Sequence, residues 1–440
     1  MEQKNDKKVI RSWAFFDWAN SAYNLVITST IFPAYYTIIT SDKNNDTIDY
    51  VTFMGRKFVN SALYNYALAA AFLVIAVLSP ILSSIADSRG NKKTFMKIFT
   101  YLGAFSCCGL YFFEIQTLQI SIVLFVLAAI GFWGSLVFYN SYLPEIASVD
   151  EQDRVSAKGF TYGYIGSIIL QLICFVFVFF PDMFGLSGEA EASRLSFLLV
   201  GVWWMVFAQI PFRNLPDGVA IAHKVKSNVF TAGFKELNKV WLQLKHMAYL
   251  KRFLMSFFFY SMGVQTVVLV ATVFAEKELH LPTEKLIGTI LLLQLVAIPG
   301  AMLMSWLSKR YFGNVKVLIG VVVIWIGVCI AAYFVHTEVQ FYFLAATVGL
   351  IMGGIQSLSR STYSKFLPQE SPDHTSYFSF YDVTEKVSLV IGMLSFGYIE
   401  EFTGSMRNSI IALAVFFIFG LIFLFSLTQV EPKSVKARLE

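Results

Sequence analysis

Charge is scarce in this chain. Of 440 residues only 14% are Asp, Glu, Lys or Arg, against about 25% in soluble domains. Cysteine is scarcer still. Cys107, Cys108, Cys174 and Cys329 are the four; all sit inside apolar stretches and none has metal-ligand spacing, so neither a disulfide framework nor a metal site is expected. The five histidines (His223, His246, His280, His336, His374) all fall where the sequence reads as loop. Neither His-Glu-x-x-His nor Gly-x-Ser-x-Gly occurs. A membrane-embedded enzyme is therefore not expected. There is no Gly-x-x-x-x-Gly-Lys-Ser/Thr loop, so ATP drive by this chain is not expected, nor is any cofactor. Residues 1–12 are charged and run straight into apolar sequence without a small-residue cleavage site, so no removable signal peptide is expected.

What the chain does have is apolar length. Hydrophobic residues make up 56%, and 44 are Phe. Twelve apolar stretches lie near 13–39, 61–86, 94–113, 118–143, 159–180, 194–212, 253–275, 285–308, 317–335, 340–359, 377–400 and 409–428. A bilayer core of about 30 Å needs about 20 apolar residues as a helix. Only helices or closed barrels satisfy the backbone there, and barrel strands alternate over roughly 10 residues. The expected fold class is an all-α integral membrane protein of twelve transmembrane helices, with the lipid bilayer as its partner. The fourth and eleventh stretches are interrupted by polar residues. What remains outside the spans is too short for a second domain.

Lys and Arg set the expected orientation. With both termini cytoplasmic, the inner side collects Lys4, Lys7, Lys8, Arg11, Arg89, Lys92, Lys93, Lys97, Arg154 and Lys158. It also takes eight cations between Arg213 and Arg252, then Lys309, Arg310, Lys316, Lys365, Lys433, Lys436 and Arg438. The outer side holds Lys43, Arg56, Lys57, Arg194, Lys277, Lys285 and Arg407. The net charge of +5 is thus a topology signal, and cations spread over many short loops do not form a nucleic-acid patch. The cell (inner) membrane is the expected location.

The longest connection, 213–252, follows six spans. Phe230, Phe234, Leu237, Val240, Trp241 and Leu244 recur there at near-helical spacing, which fits a surface helix on the inner leaflet or a plain linker. The expected organisation is a six-helix bundle over 1–212, a cytoplasmic linker with an amphipathic helix over 213–252, and a second six-helix bundle over 253–440. Six plus six spans around a long middle loop resembles the major facilitator superfamily, whose pseudo-symmetric halves hold the substrate near the midplane.

The connection after the second span reads Asp87-Ser88-Arg89-Gly90-Asn91-Lys92-Lys93. It resembles that superfamily's signature loop, Asp before Arg-x-Gly and two cations, with Ser83 where the family has its initial Gly. Gly90 suits a tight turn, and Asp87 and Arg89 suit contacts made in one gating state. The matching loop of the second half, Ser308 to Lys316, lacks the Asp, so a gate there must use other contacts.

Polar residues inside spans are costly and usually face the protein interior. In the first span Asp17, Asn20 and Asn24 share one helical face at i, i+3 and i+7, extended by Ser21 and Thr28. Asn20, Tyr23 and Asn24 are candidates for lining a solute path. Asp17 reads either as a gate or proton site or as an interfacial anchor. Tyr139 and Asn140 reach inward at the end of span four, where Glu145 is placed to pair with Arg89 or Arg154. Gln265, Gln294 and Gln356 are polar candidates in the second half, and Arg360 is an anchor or a gating cation. In span eleven Asp382 and Lys386 form an i, i+4 pair with Glu385 beside them. If that span starts near Tyr377, Lys386 lies about 13–14 Å inside at 1.5 Å per residue, which makes the cluster an ion-pair or proton-relay candidate.

Asp17-Trp18-Ala19-Asn20-Ser21-Ala22-Tyr23 resembles the hallmark of the vacuole-effluxer-like (autophagy-related) permeases, a branch with many bacterial members. Phe138 to Glu145, Gly159 to Ser167 and Gln356 to Ser364 resemble it as well. The resemblance implies a permease with amino acids or short peptides as the leading solute class. Gly159, Gly163 and Gly166 read chiefly as close-packing positions.

The function expected from these readings is secondary active transport of a small polar or amphipathic solute by alternating access. A proton or sodium gradient, or the solute's own gradient, would drive it, with the chain acting as a monomer. The competing readings are a lipid or drug exporter and a non-transporting receptor or scaffold on a transporter fold.

Overall fold

Long apolar runs leave the backbone no water to bond, and the chain responds with helices whose hydrogen bonds close internally. The computed structural model describes residues 4–41, 49–217, 235, 238–243, 246–369, 371 and 373–428. Of the amphipathic linker, Phe230, Phe234, Leu237 and Leu244 lie outside the described residues, as do Lys43, His223, Lys433, Lys436 and Arg438. Val240 is buried and Trp241 exposed.

The first span runs as α1 (Lys7–Tyr23), a π-helical segment (Asn24–Thr30) and α2 (Ile31–Thr40). A short antiparallel hairpin follows, β1 (Tyr50–Phe53) with β2 (Arg56–Val59), in register Tyr50↔Val59 and Phe53↔Arg56. Its two-residue turn, Met54-Gly55, has positive φ at both positions, as a tight hairpin of native twist requires. Next come α3 (Asn60–Arg89), α4 (Lys92–Gly109), α5 (Leu118–Asn140), the one-turn α6 (Leu143–Ile146), α7 (Gln152–Phe179) and α8 (Glu189–Asn214). The rest is α9 (Ala248–Leu279), α10 (Thr283–Leu307), α11 (Asn314–Phe334), α12 (Glu338–Phe366), α13 (His374–Thr403) and α14 (Met406–Thr428).

All twelve expected spans are helices. Among the described residues ten helices are long and apolar enough to cross a membrane. The two that fall short do so for physical reasons. The first span is broken by its π segment, and α13 carries Asp382, Glu385 and Lys386. Gly90 ends α3 in the left-handed conformation, φ 64°, which is the turn expected of it. Thr337 and Gln340 cap each other at the start of α12.

The chain forms two compact units. One comprises Met1–Ile10, Asn140–Thr161 and Ile221–Glu440; the other comprises Arg11–Tyr139 and Tyr162–Ala220. The segment Asn140–Thr161 therefore packs with the second set of six helices, although its flanking helices are in the other unit. Within the first of these units α10 and α12 touch backbone to backbone. A Cβ on Gly353 would sit 2.3 Å from the Ala297 carbonyl oxygen, and one on Gly300 2.1 Å from that of Leu350. In the other unit Phe32 stacks on Phe125 at 4.6 Å, and Trp13 on Tyr139 at 4.4 Å.

Candidate functional site

The segment Asn140–Thr161 carries the first cluster. Asp153, in the first turn of α7, is 2% exposed, and Lys365 near the end of α12 is 3% exposed. Their Nζ–Oδ2 distance is 2.6 Å. Lys365 also donates to Asn314 Oδ1 at 2.9 Å, and Asn314 Nδ2 donates to Asp153 Oδ1 at 2.7 Å. Ser308 adds its hydroxyl to Asp153 and Asn314, and Thr362 accepts from Asn314. One cation, one anion and their surrounding dipoles thus form a closed set. The second-half loop that lacks its own Asp is served by Asp153 from α7.

One turn earlier on α12, Arg360 is 3% exposed. It donates to the Ser156 hydroxyl at 3.0 Å, the Ser156 carbonyl at 2.8 Å and Asn140 Oδ1 at 3.1 Å, and lies 4.2 Å from the Phe160 ring centre. Two residues singled out separately in the sequence, Asn140 and Arg360, are therefore partners. A planar guanidinium with fixed donors suits this combination of stacking and multiple acceptors better than an ammonium does.

The second cluster lies inside α13. Because this helix begins at His374, Asp382 and Lys386 are deep within it, and both are nearly inaccessible. Lys386 Nζ sits 3.1 Å from Asp382 Oδ1 and 3.1 Å from Glu385 Oε2. Gln265 of α9 donates to Glu385 Oε1 at 3.0 Å. Asp382 Oδ2 is buried with no hydrogen-bond partner. Two carboxylates thus share one ammonium, and one carboxylate oxygen is left over. Nearby, Tyr260 and Ser359 exchange a hydroxyl hydrogen bond at 2.8 Å.

In the other unit, Tyr139 donates its hydroxyl to Asp17 Oδ2 at 2.6 Å, and the Trp13 indole donates to the Tyr139 carbonyl at 3.0 Å. Asp17 is 5% exposed, a buried carboxylate held by the Tyr139 hydroxyl. Asn20 is fully buried with its amide nitrogen unpartnered, and Tyr23 packs on Phe132 at 4.9 Å. From Asn24 to Thr30 the helix is π-helical, and Ser21, Asn24 and Thr28 are all partly buried. Ser29 and Thr30 bond back to the Asn24 and Leu25 carbonyls, and the Thr30 hydroxyl also lies 2.8 Å from Gln171 Oε1. A Cβ on Gly163 would meet the Ser21 hydroxyl at 2.6 Å, and one on Gly166 the Trp18 carbonyl at 2.6 Å. These glycines let α1 and α7 approach, as expected.

Other expectations need correction or placement. Arg154, expected as a gating cation, points outward with its side chain 68% exposed and pairs with Glu151 at 2.5 Å. The buried position is its neighbour Asp153, about 100° round the helix. Glu145 faces His374 at 3.4 Å. His374 is not in a loop: it opens α13 and is buried. Asp87 is buried at the end of α3, and Arg89, its last residue, is exposed. Gln294 is partly buried with its Oε1 unpartnered, and Gln356 is partly buried on α12.

A family model described as "Vacuole effluxer Atg22 like" matches residues 5–437. An uncharacterized MFS-type transporter, YxiO of Bacillus subtilis, is 29% identical over 422 residues, covering 96% of this chain and 95% of that protein. Autophagy-related protein 22 of Kluyveromyces lactis is 25% identical over 465 residues, covering 94% and 92%. Among solved structures, the major facilitator transporter FucP in its outward conformation aligns with TM-score 0.70 and 15% identity, covering 96% and 98%. The proton:xylose symporter XylE aligns with TM-score 0.72 and 10% identity, covering 98% of each chain. These structural likenesses establish the twelve-helix major facilitator fold.

Proposed function

The chain belongs to the Atg22-like vacuole effluxer family and is a multi-pass membrane transporter of the major facilitator kind; from that premise we propose that it couples proton movement to carriage of a small polar or amphipathic solute. The observation that carries this reading is the α13 cluster. Ionised throughout, Asp382, Glu385 and Lys386 sum to one uncompensated negative charge (two carboxylates, one ammonium). Burying such a charge is costly, and the unpartnered Asp382 Oδ2 is where a proton relieves it. A major facilitator neighbour whose printed description is a proton symporter supports the same choice of ion over sodium.

Asn20, Tyr23, Asn24 and Tyr139 in one unit, and Gln265, Gln294 and Gln356 in the other, are each unit's candidate solute contacts in this reading. Asp17, hydrogen-bonded to Tyr139, fixes the first span against the fourth. The Asp153–Lys365 pair and the Arg360–Asn140 contact form the gate, since they tie the Asn140–Thr161 segment to α12 and must part in alternating access. The Asp87–Gly90 turn gates the first half. The bundles 1–212 and 253–440 are the moving halves, and the chain works as a monomer in the cell membrane with both termini cytoplasmic. Amino acids and short peptides are the solute class to test first.

The test is flux into proteoliposomes offered pooled amino acids and dipeptides, with and without an imposed pH gradient. Saturable, gradient-driven uptake is expected. Saturable uptake that ignores the gradient contradicts proton coupling, and no uptake of any pooled solute contradicts the solute class.

A further inference from the structure

His374 is held in a way that only one of its protonation states satisfies. It is the first residue of α13, with its side chain 5% exposed. Nδ1 lies 3.4 Å from Glu145 Oε1, and Nε2 lies 3.3 Å from the Pro368 carbonyl oxygen. Both oxygens are acceptors. A neutral imidazole has one N–H and one lone pair, so one of its nitrogens must face an acceptor with no proton between them. The imidazolium donates from both nitrogens and gains the charge of Glu145.

We infer that His374 is a second proton-binding site, separate from the Asp382 cluster, at which a proton clasps α6 to α13. Glu145 belongs to the one-turn α6 within the Asn140–Thr161 segment, and its side chain is 33% exposed, which gives protons a way in. Among the described residues, two further groups near the start of α13 have partners of their own. Asp373, its neighbour, pairs with Lys239 at 2.7 Å, and Tyr377, one turn on, gives its hydroxyl to Gln243 at 2.7 Å. Loss of the proton removes the attraction to Glu145 and sets a lone pair against an oxygen. The clasp is therefore present while both ring nitrogens carry protons and is lost when one of them does not.

Hydrogen exchange of backbone amides in 141–152 tests this on the full chain in lipid nanodiscs, at about pH 5.5 and about pH 8 and corrected for intrinsic pH dependence. The expected result for the unsubstituted protein is exchange about tenfold slower at the acid pH, the size of one charge-assisted hydrogen bond. His374→Gln should exchange fast at both pH values, and His374→Arg slowly at both. A pH difference that survives in His374→Gln, or none in the unsubstituted protein, overturns the inference. Nitrogen NMR of histidine-labelled protein gives an independent reading. The signal missing from His374→Gln should show both ring nitrogens protonated at the acid pH, and a single-tautomer signal there overturns it.

Discussion

Two buried lysine–carboxylate clusters lie in the same unit of this molecule, and they are built to opposite specifications. At Asp153–Lys365 one anion meets one cation, and Asn314 and Ser308 fill the remaining bonding positions. At Asp382–Glu385–Lys386 two anions meet one cation, and an oxygen stays unpartnered. The balanced set leaves neither Asp153 oxygen without a partner, whereas the unbalanced set leaves Asp382 Oδ2 bare, the position the proposed proton coupling uses. Burial alone does not distinguish them; the count of charges and hydrogen bonds does.

Breaking the balanced set should have the largest effect. Lys365→Met leaves Asp153 charged and buried, and should cost about 3–5 kcal/mol in thermal unfolding measured in a fixed lipid. Adding Asp153→Asn to that variant should recover most of the loss. A smaller effect is expected of Gln265→Leu, which removes the one side-chain donor from α9 to Glu385. A hydrogen bond to a charged group is worth about 1.5–3 kcal/mol, and uptake should fall without losing its response to the pH gradient. Asp382→Asn sharpens the contrast further. It removes the uncompensated charge, so its stability should stay within about 1 kcal/mol of the parent while gradient-driven uptake is lost.

The smallest effect belongs to Glu151, at the rim of the balanced set. Its partial burial raises the carboxyl's pKa, but hydrogen bonds from Lys309 and Arg154 outweigh that and hold it below the usual 4.5. A lowered folded value gives stability that is present above 4.5 and disappears as pH falls through the folded value. Glu151→Gln should therefore cost under about 0.5 kcal/mol at neutral pH and nothing in strong acid, read from melting temperature against pH.

Much of the architecture was legible because the bilayer imposes it. Every apolar run of about 20 residues became a helix, and Gly90 made its turn. The pairing Asp382–Lys386 was legible too, since both members lie on one helix at a known spacing. What the sequence hid was register and distance. The π segment at Asn24–Thr30 leaves no signal in the sequence, which reads as one continuous α-helical span. Asp153 and Lys365 are 212 positions apart; in sequence Lys365 reads only as an inner-side cation, and nothing singles Asp153 out at all. His374 looked like loop because polar residues flank it, yet α13 starts there. The Ser308–Lys316 loop lacks the Asp, which points only to other contacts there and not to Asp153.

The most direct measurement is infrared difference spectroscopy of the protonated carboxyl band on purified protein in lipid, titrated with pH and compared among the parent, Asp382→Asn and Asp153→Asn. The account predicts a titrating component of that band in the parent that is missing from Asp382→Asn and retained in Asp153→Asn. A parent band unchanged in Asp382→Asn, or a component lost instead in Asp153→Asn, would contradict it.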